Sequence, residues 1–148
     1  MVSPKLIQLL ETHWEAVSAR FFRLLNNEPG LVHLKKLPES ELSHICRRLV
    51  SNIGQYLMSK PGVGVSIEFE RVGRERFQEG VVLSEAIRGV QLLKEAAISY
   101  LRDQELFDTS VDIYAEEELE HQIGIFFDLL VVNLACGYEK EQARAATV

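Results

Sequence analysis

"LEHQIGIFFDLLVVNLACGY" (Leu119–Tyr138) is the stretch on which the reading of the fold turns. Wound as a helix, it places Leu119, Ile123, Phe126, Leu130 and Leu134 on one apolar face. Ile125, Leu129, Val132 and Cys136 form a second apolar face about 140° away. Gln122 and Asn133 separate the two faces on one side; His121, Asp128 and Glu139 separate them on the other. A helix on the surface of a bundle needs only one such face. A helix with two is either central in its own domain or shared with a partner. Beyond Tyr138 the apolar content falls away into "EKEQARAATV", whose Ala, Glu, Lys, Gln and Arg keep the helical propensity high. The helix is therefore expected to continue outward from about residue 138, as a tail leading to a linker or a coiled coil.

Working back from this helix, the rest of the chain also reads as helical. Leu6, Leu10, Trp14, Val17, Phe21 and Leu24 recur at spacings of three and four, with Ser3 as a candidate N-cap and Pro4 in the first turn. "NNEPG" (Asn26–Gly30) stops that helix, and "LVHLKKLPESE" is a connector with room for one short helical turn. Pro38 opens a second helix with the stripe Leu42, Ile45, Leu49, Ile53, Tyr56 and Leu57, which "KPGVG" (Lys60–Gly64) ends. Ser66 can cap a third that buries Phe69 and Val72. The fourth carries Leu83, Ala86, Val90, Leu93, Ala97 and Leu101. "QELFDTS" is a loop, and the final helix starts at about Asp112. No segment alternates as a half-buried strand would, and no repeat of fixed period is present. The expectation is an all-α bundle of about five main helices with a long C-terminal helix, in a single domain spanning residues 1–148.

Composition limits what such a bundle can do. At 148 residues it can bury about two-thirds of its unfolded surface. A formal charge of −6 argues against a nucleic-acid surface, which shows a basic footprint. "MVSPKLIQLL" has no apolar signal-peptide core, and Asp128 interrupts the best candidate for a membrane span. Cys46 and Cys136 lie on apolar stretches without metal or redox spacing, which fits a reduced, cytoplasmic setting.

"RVGRERFQEGVVLSEAIRG" (Arg71–Gly89) is the densest cluster of arginines and glycines. A P-loop needs Lys and Ser/Thr directly after its last glycine, and "EGVVLS" has neither. A dinucleotide fingerprint needs a preceding strand. A helix-turn-helix is possible in outline, but its second helix would present a core face. Glu70–Arg74 and Arg71–Glu75 stand four apart and can pair, which leaves Arg76 and Arg88 as the less neutralised charges. The histidines are scattered: His13 beside the apolar stripe of the first helix, His33 in a loop, His44 on the second helix and His121 on the polar seam of the last. "ELEH" (Glu118–His121) is a lone Glu-x-x-His, where a di-metal bundle needs two. No serine or cysteine has an evident base. No catalytic residue, cofactor or metal is expected.

"FERVGRERFQEGVVLSEAIRGVQLLKEAAISYL", followed by a helix ending "FFDLLVVNLACGYEKEQARA", resembles the N-terminal domain of RsbR-type proteins, the stressosome co-antagonists. Similar domains precede some sensor histidine kinases. "LIQLLETHWEAVSARFFRLL" and "LPESEL" extend the likeness over nearly the whole chain. The resemblance implies a globin-like helical fold without haem, a homodimer, and a non-catalytic sensory role. It also implies a downstream STAS or histidine kinase module reached through the last helix. The residues agree on haem, because a haem globin needs a proximal histidine on a helix between the third and fourth helices found here, and only "EGVV" joins those two. A small-ligand or haem-binding globin-type sensor is the alternative. The dimer is expected on the final helix, with Ile125, Leu129, Val132 and Cys136 on one face and Leu130 on the other as interface candidates.

Overall fold

The structure, a computed structural model, describes residues 4–58, 64–104 and 110–147. Eight helices follow one another among these residues: α1 (Pro4–Thr12), α2 (Trp14–Asn27), α3 (Val32–Lys35), α4 (Glu39–Ser51), α5 (Ile53–Met58), α6 (Gly64–Gln78), α7 (Leu83–Arg102) and α8 (Ser110–Ala146). No strand occurs among the described residues. The architecture is the expected all-α, globin-like bundle with a long C-terminal helix.

The count exceeds five because three elements depart from the simple pattern. The connector does form one short turn, α3. The first and second helices are each broken once, at His13 (φ −105°, ψ 31°) and Asn52 (φ −117°, ψ 17°). Asn52 turns its side-chain amide back on the Arg48 carbonyl at 2.9 Å, the competition with the helical ladder that makes Asn a poor interior residue. The two breaks let α1 and α5 pack together. Glu11 accepts the Gly54 amide at 3.1 Å and so caps the first turn of α5. A Cβ on Gly54 would stand 2.7 Å from Cγ2 of Ile7, so the approach requires glycine.

One helix start is corrected. α6 already includes Gly64, so Ser66 lies inside the helix rather than at its cap, whereas α8, described from Ser110, agrees with the expected start at about Asp112. The proposed Ser3 cap lies outside the described residues.

The core follows the stripes read from the sequence. Leu6, Leu10, Val17, Phe21, Leu49, Ile53, Ala97 and Leu101 are buried, as are Leu119, Ile123, Phe126, Leu130 and Leu134 of α8. α7 buries more than one stripe, adding Leu92, Ala96 and Tyr100, because α2 and α8 both pack on it. Within Ile113–Ala146, α8 includes an 18-residue stretch with the mean hydropathy (1.4) of a membrane-crossing helix, so Asp128 does not disqualify it on composition. A core helix meets the same composition, and one face of α8 is the core of this bundle.

The "EGVV" turn proves to be a helix stop. Gly80 adopts φ 80°; its amide bonds the Phe77 carbonyl at 3.1 Å and the Val81 amide bonds that of Arg76 at 3.0 Å. These are the paired bonds of a Schellman cap, with Val81 buried as its hydrophobic contact.

Candidate functional site

The long helix α8 carries three distinct surfaces. The inward one is core. A second is the crossing with α6, the most extensive helix pair in the structure. Gly73 and Gly137 make it close: a Cβ on either would overlap backbone of the opposite helix, at the Leu134 carbonyl for Gly73 and the Glu70 carbonyl for Gly137. Around this backbone contact, Phe77 meets Tyr138 edge-on at 6.0 Å, and Lys140 reaches Glu70 at 2.9 Å. The Tyr138 hydroxyl donates to the Val81 carbonyl at 2.8 Å, and burial pushes its pKa up to about 12. Glu141, almost fully buried, accepts from Arg144 at 2.6 Å and from Gln78 at 3.1 Å, and those bonds hold its carboxyl below the ordinary range.

The third surface faces outward. Ile125 is 45% exposed, Leu129 36% and Val132 58%, and Cys136 continues the line half-buried. This is the second apolar face of the sequence pattern. The interface candidates therefore separate, since Leu130 is fully buried inside the chain while its neighbour Leu129 is exposed.

Three of the four arginines of the Arg71–Gly89 stretch, Arg71, Arg76 and Arg88, are committed to ion pairs. Arg76 and Arg88, expected to be less neutralised, are the most neutralised of them. Arg76, with its side chain 4% exposed, reaches Glu41 at 2.5 Å and Glu79 at 2.6 Å. Two carboxylates share this one guanidinium, and burial raises the pKa of Glu79. Arg88 forks onto Glu28 (2.6 and 2.7 Å) and also reaches Glu95. Arg71 pairs with Glu75 at 3.7 Å as expected, whereas Glu70 turns to Lys140 instead of Arg74.

A further polar group comes from sequence that carried no signal for it. Glu85, buried in the first turn of α7, accepts the amides of His33 (2.9 Å) and Leu34 (3.2 Å) and the His33 ring at 2.5 Å. It thereby caps α3 from another helix. Burial alone would raise its pKa, but these hydrogen bonds outweigh burial and lower it.

The candidates for chemistry are dispersed. His13, His33, His44 and His121 are all exposed. Among the described residues no group of three or more His, Cys, Asp or Glu could hold a metal ion. Cys46 is buried, which pushes its thiol up to about 12 and leaves it protonated at neutral pH.

Residues 10–148 match the family described as the RsbT co-antagonist protein rsbRD N-terminal domain. The chain belongs to this family. No curated protein and no solved structure matches it. As an rsbRD N-terminal domain the chain is a stress-signalling sensor domain, the class that the resemblance implied.

Proposed function

We propose that this rsbRD N-terminal domain is a non-catalytic sensory and dimerisation domain of a bacterial stress-response or two-component signalling protein. Two copies pair through the outward face of α8, and the paired helices relay a signal to a downstream STAS or histidine kinase module, all in the cytoplasm. The observation that carries this reading is the exposed stripe Ile125–Leu129–Val132. Three large apolar side chains stand in line on the solvent side of a helix whose opposite side is fully used by the core. A two-fold axis covers such a surface with its own copy. A stable interface removes on the order of 1,200–2,000 Å² from water, more than one helix pair supplies, so a second helix joins it.

Light scattering on the wild type, Leu129→Asp and Leu130→Asp tests the reading. The wild type is expected to be a dimer. Leu129→Asp should become a folded monomer, because its carboxylate stays in water once the copies part. Leu130→Asp should unfold, because it buries a charge in the core. A folded wild-type monomer overturns the proposal, and so does a Leu129→Asp dimer as tight as the wild type.

A further inference from the structure

The core contains a cavity of about 50 Å³ where α2, α3, α4, α6, α7 and α8 meet. Its walls include Leu34, Leu49, Phe69, Val72, Leu93 and Leu134. Three small residues keep it open: Cys46 on α4 and Ala86 and Gly89 on α7. Position 89 must stay small for Leu34 to keep its place in the wall, because a Cβ there would stand 2.9 Å from Cδ2 of Leu34. The one charged residue of the lining, Arg76, spends its guanidinium on Glu41 and Glu79. A buried water needs two to four polar partners, and these walls do not provide them. Voids of this kind are few in close-packed interiors, and one lined this way favours an apolar guest over water.

We infer that this cavity is a binding site for a small uncharged apolar molecule, and that α6 passes its occupancy to the end of α8. At roughly 10–15 Å³ per water-sized sphere, the space takes a guest of about three to five such spheres. Ionic ligands are excluded because the arginine at the wall already faces two carboxylates. The coupling follows from the position of α6, which forms a partition one helix thick. Phe69, Val72 and Arg76 face the cavity, while Glu70, Gly73 and Phe77, each one residue further on, face α8. At the crossing the helices touch backbone to backbone, so no flexible side chain lies between them to absorb a shift of α6. Leu134 belongs to both the cavity wall and the crossing. The binding half of this inference stands alone; the coupling half rests on the relay reading above.

Xenon is the probe, followed by backbone amide NMR of the whole chain under increasing gas pressure. Saturable shifts are expected at Leu49, Val72 and Leu134, and with the same midpoint at residues 137–144. Ala86→Leu, which fills the cavity, should abolish both sets. Val72→Ile, a smaller addition, should weaken them and serves if Ala86→Leu does not fold. Shifts that grow linearly without saturation overturn the site, as do saturable shifts that a folded filling variant leaves unchanged. Saturation at the cavity with residues 137–144 unmoved overturns the coupling alone. A protein that is monomeric by light scattering yet binds xenon here would refute the dimer while leaving the site intact.

Discussion

Gly73→Ala probes the joint on which the relay depends. A Cβ at this position overlaps the Leu134 carbonyl and stands 3.1 Å from the Gly137 Cα. Neither obstacle is a side-chain end that can rotate away, so α6 and α8 must separate. Separation loosens the Phe77–Tyr138 packing and strains the Tyr138–Val81 hydrogen bond. Overpacking costs about 1–3 kcal/mol, and a backbone obstacle puts this site near the upper end. Alanine returns about 1 kcal/mol of helix propensity over glycine. The net expectation is a loss of about 2 kcal/mol. Gly124 is the internal control, since it lies on the same α8 and a methyl group there would meet nothing within 4 Å. Gly124→Ala should therefore gain up to about 1 kcal/mol, placing the two alanine variants about 3 kcal/mol apart. Urea unfolding followed by far-UV circular dichroism measures the difference, at one protomer concentration because association adds to apparent stability. A Gly73→Ala variant as stable as Gly124→Ala would refute the close crossing.

Further substitutions test the buried polar groups and the core. Because the folded protein lowers the Glu85 pKa, its contribution is fully present above the ordinary value of 4.5 and is lost as pH falls through the folded value. Glu85→Gln should be less stable than wild type at neutral pH, and the gap should narrow in unfolding titrations below pH 4.5. Arg76→Gln leaves Glu41 and Glu79 facing each other; both are about a third exposed, so the loss should be about 2 kcal/mol rather than the full cost of breaking a buried pair, read from urea midpoints. Tyr138→Phe strands the Val81 carbonyl and should cost about 1–2 kcal/mol by the same measurement. Leu49→Ala should cost about 2–5 kcal/mol, and Val90→Ala less, since Val90 is only partly buried.

Periodicity carries most of the fold. The stripe Leu119–Leu134 and its outward counterpart Ile125–Cys136 are both legible because a long helix repeats its pattern often enough to separate two faces. The breaks at His13 and Asn52 are not legible, because the apolar spacing runs through them undisturbed. Asn52 is a local weak point, but what holds the chain in the broken arrangement is tertiary: Glu11 caps α5, and Gly54 admits Ile7, neither of which the spacing shows. Gly73 and Gly137 are visible as letters but not as a pair, since spacing within each helix says nothing about which residues meet between helices. The same limit hides the partners of the arginines. Local four-residue spacing finds Glu75 for Arg71, but Glu41 for Arg76 and Glu28 for Arg88 come from elsewhere in the bundle. Glu85 is an ordinary-looking acidic residue in a first helical turn, and only the fold brings the α3 amides to it.

The order of surfaces along α8 bears on how a sensor of this shape could be read out. The exposed stripe ends at Cys136, and Gly137, which touches α6 backbone, is the next residue. The stripe therefore ends alongside the crossing, which α6 makes at Leu134 and Gly137, and Glu141 anchors the following turn through Gln78. A displacement of α6 meets α8 at a point where it cannot be absorbed by side chains, and the described residues past Glu141, 142–147, are exposed. The helix beyond Glu141 would then turn or shift as a unit, because packed helices change between discrete arrangements rather than bending continuously. Had the crossing been filled with leucines, the same displacement could dissipate in rotamer changes. The two glycines thus make the α6–α8 joint stiff, and stiffness at that joint is what a relay through α8 requires.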